Sequence, residues 1–385
     1  MLRVLTLSTL YPDASRPGFG GFVERQTRGL ATQPDTHVTV VAPVGLPPWP
    51  LRRVHHRALA DLPEQDEWNG LPVHRPQFLA LPAMQGRWHA ANLVRVARPV
   101  LDRLDFDVID AEFFFPDGPA AVALGQRYGV PVSIKARGSD VHRWGRAPAT
   151  AAQVRHAGQG ADGLLAVSAA MMADMIAMGM PAARIRVHRT GIDRDRFRLG
   201  DRAAAKAAIG VAGPIVLSLG ALIELKGHDI VLDAVATLPG VTLLIVGHGP
   251  QRDALEARAR ARGIGDRVRL LGGVPHADMP KLLAAADVMA LASASEGLAN
   301  AWVEALACGT PVVIPDAGGA REVVTSPAAG RIVARTAPAF ASAISELLES
   351  PPAPADTAAA GASFSWDRNA AELRAHLAGL VAARQ

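Results

Sequence analysis

Short runs of β-branched and leucine residues alternate with stretches of helical periodicity along nearly all of the 385 residues. That alternation is the signature of βαβ units wound around parallel sheets. The runs fall into two series. The first comprises Arg3–Leu7, Val38–Ala42, Asp107–Asp110, Pro131–Ile134, Leu164–Val167 and Arg184–Val187, with helical patterns near 22–31, 88–104, 117–128 and 169–178 between them. The second restarts at Pro214–Leu219 and continues through Val241–Val246, Val268–Leu271, Val288–Leu291 and Pro311–Ile314. Between them Gly191–Gly213 is rich in Arg and Asp and predicts a linker with a helix over 201–209, which places a boundary near 195–205. A length prior of roughly 150 residues per domain also gives two. The expected fold class is therefore α/β, with two Rossmann-like parallel-sheet domains.

Charge and cysteine content narrow the function classes. Forty Lys and Arg against 36 Asp and Glu leave a net charge of only +4, with no basic slab of the kind a duplex requires, so nucleic acid is not an expected partner. The single Cys308 cannot form an intramolecular disulfide and reads as a packing residue, and no His or Cys spacing suggests a zinc site. These features favour a reducing, cytoplasmic setting. No apolar stretch reaches the ~18 residues of a membrane span. The Met171, Met172, Met175 and Met178 stripe has helical spacing and reads as core. Residues 44–100 break the rhythm: Pro47-Pro48-Trp49-Pro50, then Arg52, Arg53, His55, His56 and Arg57, then Trp68, Trp88 and His89. A basic segment interleaved with aromatics suits an anionic membrane surface or an acidic ligand, while a solvated insertion fits equally well.

Parallel sheets bind ligands at the carboxyl ends of their strands, where a loop opening a helix offers unpaired N–H groups to phosphate. Three segments fit. Pro17-Gly18-Phe19-Gly20-Gly21 follows the first strand, and its adjacent glycines let backbone approach an anion. Gly220-Ala221-Leu222 with Lys226-Gly227 follows the first strand of the second series, where Lys226 can neutralise a diphosphate. The spacing is not that of a Walker loop, and no GxGxxG follows the first strand. The third and most informative segment runs from Ser295 to Pro311. In it Glu296 precedes small residues at a helix start (Gly297, Leu298, Ala299, Asn300), a second carboxylate, Glu304, comes eight positions on, and Cys308-Gly309-Thr310-Pro311 stops the helix. Glu304 lies inside a mostly apolar helix and needs hydroxyl partners for its burial, which a ribose supplies.

This third segment resembles the E-x7-E signature of family 4 retaining glycosyltransferases of the GT-B fold. The resemblance spans nearly the whole chain: Tyr11-Pro12 through Gln26, Phe115-Pro116-Asp117-Gly118, Arg137-Gly138-Ser139-Asp140, Gly191-Ile192-Asp193, Lys226-Gly227, Gly247-His248-Gly249-Pro250 and Leu271-Gly272-Gly273-Val274 follow in order. The branch it most resembles makes exopolysaccharide and teichuronic acid. The resemblance implies an acceptor-binding domain over 1–198, a nucleotide-sugar-binding domain over 205–362, a deep cleft between them, and a helix over 363–385 returning to the first domain. It implies hexosyltransferase-like transfer from a nucleotide-sugar donor to a hydroxyl of a glycan or lipid-linked glycan, with retained configuration and no metal or other cofactor. Glu304 would hold the ribose. Glu296 and the Gly297–Asn300 backbone would contact the donor sugar and phosphates, with Gly220 and Lys226 at the diphosphate. Gly20 and Gly21 would close over the donor, and Val274 would line the base. Arg137 and Asp140 complete the expected reacting set, at the inner face of the cell membrane.

Two departures stand out. Ala221 occupies a position where many members carry a second cation, and Arg137 one where many carry His. Arginine stays protonated and cannot act as a base, so Asp140, His142, Glu112 or the departing phosphate must take the acceptor proton, and the phosphate is favoured. The rivals are a nucleotide-sugar epimerase and a non-catalytic nucleotide-sugar-binding subunit. A retaining glycosidase is disfavoured, because eight helical residues span about 12 Å where its carboxylates need about 5–5.5 Å.

Overall fold

The computed structural model describes residues 1–49, 51 and 56–384. The chain divides into two compact units, Met1–Gly191 with Trp366–Gln385, and Ile192–Ser365. In the first unit the strands are β1 (Leu2–Leu7), β2 (Thr36–Val41), β3 (Val44–Leu46), β4 (Gln65–Trp68), β5 (Leu71–His74) and β6 (Gln77–Leu79). They are followed by β7 (Val108–Ala111), β8 (Val132–Ala136), β9 (Gly163–Ala166) and β10 (Ile185–Val187). Eight of them form one sheet in the order β10-β9-β8-β7-β1-β2-β5-β4, while β3 and β6 pair separately. All neighbours in the large sheet run parallel except the β4–β5 hairpin at its edge.

The hairpin lies inside the segment expected to be an insertion. Gln65-Asp-Glu-Trp68 is poor in β-branched residues, so propensity does not announce it. It forms because Leu71 and Val73 of its partner strand belong to the same buried cluster as Val23, Leu30 and Val40. The basic residues Arg52, Arg53 and His55 lie outside the described residues. The C-terminal helix Trp366–Ala382 belongs to this unit. Its Leu373 and Leu377 join that same cluster, and Ala370 sits against Gly29 of the helix Gly21–Ala31.

The second unit carries β11 (Ile215–Leu219), β12 (Thr242–Val246), β13 (Val268–Gly272), β14 (Val288–Ala290), β15 (Val312–Pro315) and β16 (Gly330–Val333). The order β13-β12-β11-β14-β15-β16 is parallel throughout. Helices His228–Ala236 and Ala337–Glu349 pack over a core that includes Val231, Leu243, Ile245, Val288, Phe340 and Ile344.

Both sheets share one topological property that places the sites. The chain builds outward from β1 in one direction and then returns to add β7 on its other side; in the second unit it does the same around β11 and β14. At such a switch point the loops leaving adjacent strands diverge and open a crevice at the carboxyl edge. In the first unit those loops carry Gly20, Gly21 and Glu112. In the second they carry Gly220, Lys226 and Glu296.

Candidate functional site

In the second unit the two switch-point loops meet through charge. The Lys226 ammonium donates to Glu296 Oε1 at 2.5 Å, with side chains 21% and 10% exposed. Lys226 ends a one-turn 3-10 helix, Glu224–Lys226, and its aliphatic stem covers Gly220. The loop after β12 braces this arrangement. Leu222 N–H donates to the His248 carbonyl and Gln251 N–H to the Leu222 carbonyl, and Gly247, at φ +148°, passes against the Gly220 carbonyl where any Cβ would collide. Behind Glu296, Gly319 N–H donates to the Gly297 carbonyl at 2.8 Å. The helix Asn300–Ala307 then begins at Ala299 with no side-chain cap, so its opening amides, at the positive end of the helix dipole, meet no side-chain acceptor.

Glu304 lies on that helix with its carboxylate 11% exposed, and it accepts from His276 Nε2 at 2.9 Å. His276 Nδ1 faces the Arg196 guanidinium at 3.2 Å, so Arg196 donates to Nδ1 while Nε2–H donates to Glu304, which sets the neutral tautomer. Phe197 packs its ring edge against the imidazole at 5.0 Å. Val274 is half-buried in the same loop, after β13. Ala221 is exposed. Cys308 is buried, and burial beside Glu304 pushes its thiol up to about 12, as suits an inert packing residue.

In the first unit Gly20 adopts φ +65° and leads into the helix Gly21–Ala31 directly against the Leu10 carbonyl, a position no Cβ can occupy. Arg137 is pinned: its Nε donates to the Glu112 carbonyl at 2.8 Å, its Nη2 to the Glu112 carboxylate, and the guanidinium lies over the Phe22 ring at 4.8 Å. Burial draws Arg137 down to about 10, still protonated at neutral pH. Asp140, expected among the reacting groups, occupies a different role. Its two oxygens accept the backbone N–H groups of Phe114, Arg137, Gly138 and Val141 at 2.7–3.2 Å, and the residue is fully buried. Burial raises its pKa against the pull of those amides. A carboxylate saturated by four amides holds its loop and has no lone pair directed at a substrate. His142 is engaged by Asp174 at 2.8 Å.

Three buried residues of this neighbourhood belong to no recognisable motif, and a fourth, Gln26, ends the first one. Asp110, Gln26, Lys135 and His188 are all buried, and Lys135 donates to Gln26 and to His188 Nδ1. Their trace in the sequence is a period-2 alternation, Asp110-Ala-Glu112 and Ser133-Ile-Lys135-Ala-Arg137, which ordinarily marks a solvated strand face. Here that face is covered by helices. Among the described residues no three His, Cys, Asp or Glu side chains are grouped so as to hold a metal ion.

Comparison with known proteins agrees with this geometry. Residues 20–196 match the family model "Glycosyltransferase Family 4", and residues 201–364 match "Glycosyl transferases group 1". The two matches together span most of the chain, which is thus of the GT-B, family 4 glycosyltransferase type. Among curated relatives, the D-inositol 3-phosphate glycosyltransferases of Mycobacterium bovis (strain BCG / Pasteur 1173P2) and Mycobacterium tuberculosis (strain ATCC 25618 / H37Rv) are each 40% identical over 204 residues. That stretch is 49% of this chain and only 42% of the relatives' own length. Among solved structures, sucrose-phosphate synthase from Thermosynechococcus elongatus superposes with a TM-score of 0.84 at 21% identity, over all of both chains. Anabaena Alr3699/HepE in complex with UDP and glucose does so at 0.74 and 22%, over 98% of this chain and 100% of that one. The lipopolysaccharide-biosynthesis glycosyltransferase WaaG follows at 0.71 and 18%, over 97% and 99%. At such identities these likenesses speak for the fold.

Proposed function

We propose that the protein moves a sugar from a nucleotide-sugar donor to a hydroxyl of a glycan or lipid-linked glycan, with retention at the anomeric carbon and without a metal, in cell-surface polysaccharide synthesis. The observation that carries this reading is the Lys226–Glu296 pair at the β11/β14 switch point, beneath the uncapped start of the helix that bears Glu304. The UDP and UDP-glucose complexes of the structurally similar HepE support a nucleotide-sugar as donor. In the free protein Glu296 neutralises Lys226. A donor diphosphate takes the ammonium over, and the helix amides share its charge. Glu304, which accepts from His276 Nε2–H in the free protein, accepts the ribose hydroxyls.

Transfer breaks the bond from the anomeric carbon to phosphate and forms the bond to the acceptor oxygen on the same face. The leaving phosphate oxygen takes the acceptor proton, since Asp140 is saturated and Arg137 has no lone pair. Charge grows on the diphosphate in the transition state, where a preorganised cation and amides act most strongly. Arg137 clamps a substrate anion through Nη1, the guanidinium nitrogen that neither Glu112 nor Gln26 engages. The acceptor side is argued from the 44–100 segment: Trp49, Leu51, Leu79 and Trp88 are exposed large apolar residues, and they support seating on an anionic membrane at the cytoplasmic face. Among the described residues no helix is long and apolar enough to cross a membrane.

The decisive test screens nucleotide-sugars by thermal shift, then follows nucleoside diphosphate release and product anomeric configuration by NMR, with EDTA present and acceptor lipid supplied. Retained configuration in EDTA is expected. An inverted product or activity that needs added metal overturns those parts of the reading. Donor isomerisation without acceptor makes the protein an epimerase, and binding without turnover makes it a partner subunit.

A further inference from the structure

The sheet face beneath the helices Gly21–Ala31 and Trp366–Ala382 is polar where a buried sheet face is ordinarily apolar. Strand register aligns Thr6, Asp110 and Ser133 across it, and Glu112, Lys135 and Arg137 extend the same rows toward the carboxyl edge. Lys135 has no exposed surface. Burying an ammonium costs far more than burying Met or Leu of similar volume, so its presence calls for an explanation other than packing.

The hydrogen bonds supply one, because every link has a fixed direction. His188 Nε2–H donates to the Asn369 carbonyl at 2.8 Å, which leaves Nδ1 as an acceptor for Lys135, also at 2.8 Å. A second Lys135 proton goes to Gln26 Oε1. With its oxygen so engaged, the Gln26 amide must turn its NH2 to Glu112 Oε1. Glu112 then holds Arg137 with its other carboxylate oxygen and its carbonyl. Remove the ammonium and the Gln26 oxygen keeps only a long contact from Arg137 Nη2 at 3.5 Å, which weakens the hold on an orientation whose reversal would set that oxygen against the Glu112 carboxylate. The groups facing Lys135 from the surrounding elements are Asp110, Glu112, Arg137, His188 and, from the C-terminal helix, Glu372 and His376. Desolvation draws the amine down to about 7 against the pull of Asp110, yet it donates to Gln26 in either protonation state.

We propose that Lys135 is a positioning residue: by orienting the Gln26 amide it fixes the Glu112 carboxylate, and through it the Arg137 guanidinium that clamps the substrate anion. The mechanistic consequence rests on the transferase reading above; the link from Lys135 to Arg137 does not. Lys135 touches no substrate. Its effect is on how often Arg137 is in the productive orientation, so it belongs in kcat and not in donor affinity, which the second unit supplies.

The test uses the full chain and two readouts. Hydrogen exchange at Arg137 Nε–H, followed by 15N NMR and assigned by its loss in Arg137→Lys, reports the guanidinium directly. Lys135→Met should speed that exchange at least tenfold and lower kcat about tenfold with donor KM unchanged. Gln26→Leu should do the same, and the double variant should be no worse than either single one. Ser133→Ala is the control: it removes a buried bond to His376 on the same sheet face but no link to Gln26 or Glu112, and should leave exchange and kcat unchanged. Unchanged Arg137 exchange in folded Lys135→Met overturns the proposal, as does an equal acceleration in Ser133→Ala, which would mean general loosening. If Lys135→Met does not fold, Gln26→Leu decides alone. A wild-type protein that transfers no sugar sinks the transferase reading, while the exchange data still decide the Lys135 link.

Discussion

The two units place charge at equivalent points of the same topology and treat it in opposite ways. In the second unit the ionised groups sit on switch-point loops and on the helix that follows, each in a partnership that a ligand can displace: Lys226 with Glu296, and Glu304 with His276. In the first unit they lie beneath helices and are held by several fixed bonds at once, as with Asp140 and its four amides or Glu112 between Gln26 and Arg137. A carboxylate with one exchangeable partner is arranged to meet a ligand. A carboxylate saturated by backbone is arranged to hold a loop. The contrast supports the proposal that donor chemistry belongs to the second unit and preorganisation to the first.

The largest expected effect probes the exchangeable side. Lys226→Ala should lower kcat by about 10²–10³, the range for deleting one group that stabilises developing charge, and steady-state kinetics with a saturating donor measures it. A loss under threefold would remove Lys226 from the diphosphate. Next, on the fixed side, Asp140→Ala strands several buried amides. It should cost the first unit about 3 kcal/mol in urea-induced unfolding while donor affinity stays within twofold. Destabilisation below about 1 kcal/mol would mean that Asp140 is free for another task.

A pH experiment follows. Burial beside Arg186 and Lys135 pushes His376 down to about 4, below its unfolded value near 6.5. Between these values the unfolded chain binds the proton and the folded chain does not. Stability is therefore present above about pH 6.5 and lost as pH falls toward 4, by about 3 kcal/mol, and a His376→Gln variant should lack this component. A parallel pH dependence in the variant would place the titration elsewhere.

Smaller again, Glu304→Gln should weaken donor binding about tenfold by calorimetry, since a neutral amide still accepts hydroxyl protons but less strongly than a carboxylate. Unaltered affinity would point the donor's ribose away from this helix. The smallest effect belongs to the apolar surface: Trp88→Ser should reduce sedimentation with phosphatidylglycerol vesicles a few-fold. Equal binding of wild type and variant would leave this face without a role at a membrane.

The comparison also shows where sequence reading reaches. In the second unit Gly220, Lys226, Glu296 and Glu304, the residues of the proposed donor site, were all legible, because loops and helix starts write glycines, a lysine and spaced glutamates into contiguous segments. His276 was not: it lies two residues beyond the Leu271–Val274 motif, and only the tertiary fold brings it to Glu304. In the first unit the alternating Asp110, Glu112, Ser133, Lys135 and Arg137 look like a solvated strand face until a helix from the far end of the chain is laid over them. The β4–β5 hairpin was hidden for a related reason: its stability comes from contacts with Val23 and Leu30, not from its own propensity.

The sequence by itself determined the two parallel-sheet units and the switch-point loops, and it singled out the carboxylates of the proposed donor site, because periodicity and short motifs are local and survive without coordinates. Only the tertiary structure decided which charges remain exchangeable and which are locked. Partnership between residues such as Lys135 and Gln26, or His188 and Asn369, separated by 109 and 181 positions, is set by which strands lie adjacent and which helix covers them. Burial and hydrogen-bond direction, the quantities that separate a reacting carboxylate from a structural one, exist only once those elements are packed together.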